Sequence, residues 1–194
     1  MKIVCIGDSL TEGDYGVPGK RGIANVHEKS YPYFLQKITN AEVVNCGKCG
    51  YTPTSYLNYY KSGNVDVSDA DIIIVMLGTN GELDPIGRVD GNDDYCTLIK
   101  LLQADSKNAV IYVCTPPHVT VDKNKSNCGY ADRVNNAVKF VRDFALKNNI
   151  KCIELDKCEY FSSSTEVIMQ PNDGLHFSEI GYAVMAAYIN MYLK

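Results

Sequence analysis

The sequence predicts an α/β protein of three layers, with helices on both faces of a parallel sheet, and two alternating patterns predict it. Short, continuous, β-branched apolar runs recur at Lys2 to Ile6, Glu42 to Asn45, Asp71 to Leu77, Ala109 to Cys114 and Lys151 to Leu155. Runs this unbroken suit strands buried on both faces. Between them lie stretches whose apolar residues fall at helical spacing. Strand and helix in alternation imply right-handed crossovers and a sheet covered on both sides.

The helical stretches follow in order. Tyr31, Phe34, Leu35 and Ile38 form the first i, i+3, i+4, i+7 stripe. Thr52 followed by Pro53 reads as a helix start, a capping hydroxyl and then proline at the first helical position. Tyr95, Leu98, Ile99 and Leu102 form the next stripe. The acidic run before it, DGNDD from Asp90, opens like a calcium loop, but Tyr95 and Leu101 occupy the positions of its glycine and glutamate. Those acids read instead as first-turn residues of the helix. Val134, Ala137, Val138 and Val141 mark a further helix, and Ser178 caps a last one whose stripe is Ile180, Val184, Ala187 and Met191.

At 194 residues, 45% hydrophobic and 22% charged, the chain is expected to form one domain over residues 1–194, without internal repeat or linker. A net charge of −4 and a pI near 5.4 argue against nucleic acid as a partner. No apolar run reaches membrane-spanning length, so no membrane insertion is expected. The N-terminal MKIVCIGDSL lacks the apolar core and cleavage site of a leader. A cytoplasmic protein is expected, unless a leader has been removed.

In open parallel sheets ligands bind beyond the carboxyl ends of the strands, so chemistry is sought there. After the first run comes GDSLTEG, with Ser9 in a glycine-flanked exit where its hydroxyl and its own N–H can face one space. Ser or Asp in such a loop also serves as a helix cap. After the second run comes NCGKCGYTP, with Gly50 just ahead of the helix start at Thr52. The third run ends in Gly78-Thr79-Asn80, a neutral amide donor or a turn asparagine. Near the C-terminus, Asp173 lies three residues before His176, close enough for the carboxylate to fold back on the imidazole. His27 and His118, the other histidines, lie in polar loops and read as solvated.

Taken in order, GDSL at 7–10, N-x-x-x-x-G at 45–50, G-T-N at 78–80 and D-x-x-H at 173–176 resemble the blocks of the SGNH, or GDSL, hydrolase family. The resemblance implies a flavodoxin-like sandwich around a parallel sheet of about five strands, in agreement with the strand count. It further implies Ser9 as nucleophile, His176 as general base and Asp173 as the residue orienting it. The N–H groups of Ser9 and Gly50 and the Asn80 amide would form the oxyanion hole, with no metal or organic cofactor. In one respect the chain departs from the pattern. Asn80 is followed by Gly81 rather than by the usual acid, and Glu82 or Asp84 would have to stand in.

The segment Cys46-Gly-Lys-Cys49 admits a second class of function, a thiol-disulfide redox site or half of a zinc site. The chain has no second C-x-x-C to complete a zinc site, and a redox role leaves Ser9, Asn80, Asp173 and His176 unexplained. Several of the eight cysteines lie inside apolar runs, as Cys5, Cys114 and Cys152 do, and read as small core residues.

The expected activity is hydrolysis of short-acyl, chiefly acetyl, esters of carbohydrates or other small polar alcohols through an acyl-enzyme. Asp8, Tyr15 and Tyr51, with Tyr130 further along, are the candidate substrate contacts, since a tyrosine presents a flat face and a hydroxyl. The long polar loop after Ser9 supplies a wall, and no amphipathic lid points to a lipid interface. The alternatives are a lysophospholipase- or thioesterase-type acyl hydrolase of the same family, or a catalytically weak carbohydrate-binding domain.

Overall fold

The computed structural model describes residues 1–17, 29–87 and 89–193. Five parallel strands, β1 (Lys2–Gly7), β2 (Glu42–Gly47), β3 (Ile72–Met76), β4 (Val110–Cys114) and β5 (Lys151–Ile153), lie in the order β2-β1-β3-β4-β5. This is the flavodoxin-like arrangement, and its switch point falls between β1 and β3. In register, Gly7 at the end of β1 lies opposite both Gly47 of β2 and Met76 of β3. The three exits that carry the candidate motifs therefore emerge side by side.

Alternation along each strand divides the core in two. Val4, Ile6, Ile73 and Val75 face one layer of helices, α3 (Pro53–Lys61), α4 (Asp90–Asp105) and α5 (Ala131–Asn148), meeting Tyr56, Leu98, Ala137 and Phe144. Ile3, Cys5, Ile74 and Met76 face the other, α2 (Tyr31–Thr39) and α7 (Glu179–Asn190), meeting Tyr31, Leu35, Tyr182 and Met185. The described residues also form single-turn α-helices at α1 (Ser9–Glu12) after β1 and α6 (Glu166–Met169) ahead of the last loop.

The expected caps form. Thr52 accepts from the Ser55 N–H with Pro53 at the first position, and Ser178 accepts from the Gly181 N–H. The stripes on α4 and α5 are buried as expected, and α4 carries Asp90 and Asp93 in its first turn. The stripe expected on α7 is not. Ile180 and Met191 are exposed, and the buried face is Tyr182, Met185, Ala186 and Ile189. That helix is apolar nearly all round, so two stripes compete and spacing alone cannot choose between them. Ile38 of α2 is likewise exposed at the end of its stripe.

Candidate active site

Ser9 is placed by two close approaches. A Cβ on Gly7 would lie 2.0 Å from Thr11 Oγ1 and 2.6 Å from the Met76 carbonyl, so only glycine lets the chain turn this tightly off the sheet. Asp8 then caps α1, its Oδ1 accepting from the Leu10 N–H at 3.0 Å. As the first helical residue, Ser9 has an N–H without an intrahelical acceptor. Its Oγ lies 2.9 Å from Nε2 of His176.

His176 is held by the bend the sequence suggested. Asp173 Oδ1 accepts from the N–H groups of Leu175 (3.0 Å) and His176 (2.9 Å), and Oδ2 lies 2.7 Å from His176 Nδ1. That bond keeps the Nδ1 proton on the Asp173 side and leaves Nε2 to accept from Ser9. Both side chains are nearly buried. Burial pushes the Asp173 carboxyl up, but the hydrogen bond and charge of His176 with the two N–H groups outweigh it and hold it below its ordinary value. Burial pushes the imidazole down, yet the hydrogen bond and charge of Asp173, with the charges of Asp14 and Asp8, hold it above 6.5. The bend is braced from outside. Thr120 N–H donates to the Gly174 carbonyl at 2.8 Å, and Gln170 Nε2 donates to the carbonyls of His118 (2.7 Å) and Leu175 (3.0 Å).

On the other side of Ser9, the exits of β2 and β3 are tied to one another and to α1. Cys49 N–H donates to Glu12 Oε2 at 2.9 Å, and the Lys48 N–H donates to the Gly7 carbonyl at 3.0 Å. Gly50 follows in the left-handed region, φ +79°, exposed, and its N–H meets no acceptor among the described residues. Asn80 is half-buried and spends one amide hydrogen on the Tyr51 carbonyl at 3.0 Å, which fixes the plane of the amide and leaves the other hydrogen available. Of the two acids near Gly81, Glu82 reaches across to this loop. Its Oε2 accepts from the Thr54 N–H at 3.2 Å at the start of α3, from a strained left-handed backbone at φ +67°. Asp84 only closes its own turn on the N–H groups of Ile86 and Gly87.

The candidate substrate contacts divide. Tyr51 is half-buried against Tyr56 and Tyr59, with its carbonyl on Asn80. Tyr15 packs edge-on against Tyr182, and its hydroxyl donates to the Lys29 carbonyl at 3.0 Å. Tyr130 lies under the Arg133 guanidinium, 4.2 Å from its ring centre, and Arg133 in turn passes near Gly81. Asp8 differs from the expectation. It has no exposed surface and lies beneath Ser9, where the helix cap takes one oxygen. Its carboxyl is beside the Thr79 hydroxyl, yet neither Asp8 Oδ2 nor Thr79 Oγ1 finds hydrogen-bond geometry, and burial raises the carboxyl to a pKa of about 6.

His118 also departs from its reading as a solvated side chain. Its Nε2 lies 2.7 Å from Oε1 of buried Glu166, a carboxylate 48 residues away and so invisible to local spacing. His27 and most of the polar wall after Gly16 lie outside the described residues. None of the eight cysteines, Cys46 and Cys49 included, is joined to another in a disulfide. Two residues near the site went unremarked in the sequence. Asp14 is fully buried with Oδ2 at 4.0 Å from His176 Nε2, and a Cβ on Gly16 would meet Asp173 Oδ2 at 2.3 Å. The one signal for them was the continuation of the serine block into GDYG, where two glycines flank a carboxylate. Among the described residues no group of three or more His, Cys, Asp or Glu side chains could hold a metal ion, and no helix is long and apolar enough to cross a membrane.

The motif of the GDSL-like lipase/acylhydrolase family matches residues 5–184, nearly the whole chain. The chain belongs to that family. The solved structures similar to this GDSL-family chain share its fold at low identity. A lipase/acylhydrolase from Enterococcus faecalis is 22% identical with a TM-score of 0.74, covering 97% of this chain and 92% of that one. A carbohydrate acetylesterase family member from Sinorhizobium meliloti is 19% identical with a TM-score of 0.71, covering 99% and 96%. The aryl esterase of M. smegmatis is 18% identical with a TM-score of 0.72, covering 99% and 97%. No curated protein matches the sequence. Acyl-ester hydrolysis by a serine-type mechanism is the general activity of this family.

Proposed function

We propose that the chain is a serine esterase acting on short-acyl, preferably acetyl, esters of carbohydrates or other small polar alcohols. The observation that carries the reading is the unbroken chain of hydrogen bonds from Ser9 Oγ to His176 Nε2 (2.9 Å) and from His176 Nδ1 to Asp173 (2.7 Å). Ser9 Oγ attacks the ester carbonyl carbon while its proton passes to Nε2, and the Nδ1 proton stays on the Asp173 hydrogen bond. The carbonyl oxygen, now an oxyanion, takes the N–H groups of Ser9 and Gly50 and the free amide hydrogen of Asn80. Collapse breaks the bond to the alcohol oxygen, which leaves with the Nε2 proton. Water then attacks the acyl-Ser9 ester, gives its proton to Nε2, and the same steps in reverse release the acid and restore Ser9.

Three things support the polar-alcohol end of this reading. Tyr51 stands at the exit of β2 beside the amide of Asn80. The segment that follows Ser9 is polar and glycine-rich. One similar fold belongs to a carbohydrate acetylesterase family member. A panel of p-nitrophenyl esters from acetate to decanoate, run beside an acetylated sugar, tests the reading. Turnover highest with acetate, and release of acetate from the sugar, is the expected result. A rate that climbs with chain length would favour the lysophospholipase-like alternative. Sugar binding with no turnover at all would favour the binding domain.

A further inference from the structure

Asp14 is a carboxylate with no exposed surface. Burying such a charge is costly unless hydrogen bonds and an opposite charge answer it. Each of its oxygens has a donor: Oδ1 accepts from the Gly16 N–H at 2.8 Å, and Oδ2 accepts from the Cys49 thiol at 3.6 Å. Among the described residues its ion-pair partner is His176, whose Nε2 lies 4.0 Å from Oδ2. No lysine or arginine makes an ion pair with it among the described residues.

The fold goes to some length to hold this carboxylate here. Gly13 ends α1 in the left-handed region, φ +105°, and the Asp14 N–H turns back to the Ser9 carbonyl at 3.0 Å. The buried Tyr182 hydroxyl donates to the Asp14 carbonyl at 2.6 Å. Two residues on, Gly16 brings its backbone so close to Asp173 that no side chain fits. One turn thus sets a carboxylate against Nε2 of His176 and a bare backbone against the carboxylate that binds Nδ1. The imidazole lies between two acids, one toward each nitrogen.

We propose that Asp14 is a positioning residue of this site, a second carboxylate that stabilises the imidazolium formed when Ser9 gives its proton to Nε2. The inference rests on the esterase reading for its consequence in catalysis, and on geometry alone for its effect on His176. Asp14 touches neither substrate nor the reacting atoms and acts through the imidazole. The groups that face His176 are Asp173 on its own bend, Ser9 and Asp8 from the exit of β1, and Asp14 from the turn after α1. Cys49, from the exit of β2, donates its thiol to Asp14. Among the carboxylates of the described residues, Asp14 is the one on the Nε2 side at ion-pair distance. A carboxylate there favours the charged imidazole, so His176 is a stronger base and holds the transferred proton until the alcohol leaves.

The test is an NMR titration of the His176 ring in the full chain, assigned against a His176→Gln chain, for wild type, Asp14→Asn and Asp14→Ser. Both substitutions keep an oxygen for the Gly16 N–H and remove the charge. The expected result is a fall of about one pH unit in the His176 titration. The acid limb of kcat/KM should move down with it, and its plateau should drop by up to about tenfold, the equivalent of one pKa unit. An unchanged titration in a folded Asp14→Asn chain overturns the proposal. So does a loss of kcat at all pH values with no shift of the limb, or the failure of both variants to fold, since each makes Asp14 merely structural. A wild type that shows the Asp14-dependent titration but hydrolyses no ester would sink the esterase reading and leave the pairing of Asp14 with His176 standing.

Discussion

In the proposed mechanism Ser9 and His176 share one proton, so their losses should not add. Ser9→Ala and His176→Ala are each expected to lower kcat by about 10⁴ to 10⁶, and the double variant by little more. Kinetics on the three chains checks this, and multiplying losses would break the unit apart. Directly beneath, Asp8 links the site to stability. Its folded pKa of about 6 stands above the ordinary 3.8, so between those values the native chain holds a proton that the unfolded chain has lost. Stability contributed by this group is complete below about pH 3.8 and is lost as the pH rises through 6, on the order of 1–3 kcal/mol. Asp8→Asn has no such loss. Denaturant titrations at pH 4 and pH 7 should show the variant gaining on wild type by that amount at the higher pH. A constant difference between the two chains would mean that Asp8 is ionised throughout.

At the scale of elements, the site depends on three strand exits keeping their places beside one another. Asn80 and Gly50 come from β3 and β2, on either side of β1, and the ties between those exits include side-chain to backbone bonds beside the backbone bond from Lys48 to Gly7. Glu82 supplies one of them, in a chain that has Gly81 where its family usually places an acid after the asparagine. Glu82→Ala is therefore expected to lower kcat with little change in KM, by a few-fold to about tenfold, the equivalent of one lost hydrogen bond of 0.5–1.5 kcal/mol. Glu82→Gln, which keeps an acceptor at the same reach, should recover most of the rate. Equal effects of the two substitutions, or a change confined to KM, would remove Glu82 from the support of the Asn80 loop.

Across the whole molecule, Cys5, Cys114 and Cys158 are core residues and the other five cysteines are partly buried. Cys5 and Cys114 lie fully buried under the sheet, and burial pushes both thiols well above their ordinary range, while Cys152 is raised to about 11. Thiols so held are poor nucleophiles near neutral pH. Activity should therefore be indifferent to added reductant. Replacing Cys46 and Cys49 together by serine should leave the rate within about tenfold, because a serine hydroxyl can still donate to Asp14 and only packing at the strand end is lost. An inactive double variant that remains folded would revive a role for the C-x-x-C pair.

Five apolar runs and the caps at Thr52 and Ser178 were enough to read the architecture, and the resemblance of four short blocks to those of the family singled out Ser9, Gly50, Asn80, Asp173 and His176. Strand burial, capping and tight glycine turns are local in sequence, and a local pattern can be read directly. Other features were decided only when the chain folded. Which face of α7 is buried depends on what packs against it, because the helix is apolar on both sides. His118 meets Glu166 and Glu82 meets Thr54 across 48 and 28 residues, distances at which spacing carries no information. Asp14 is the sharpest case. It lies five residues after Ser9 in a stretch that was read, yet its bearing on the site comes from a left-handed turn at Gly13 that swings it back beside a histidine 162 residues away, and only the packed structure brings those two charges within 4.0 Å.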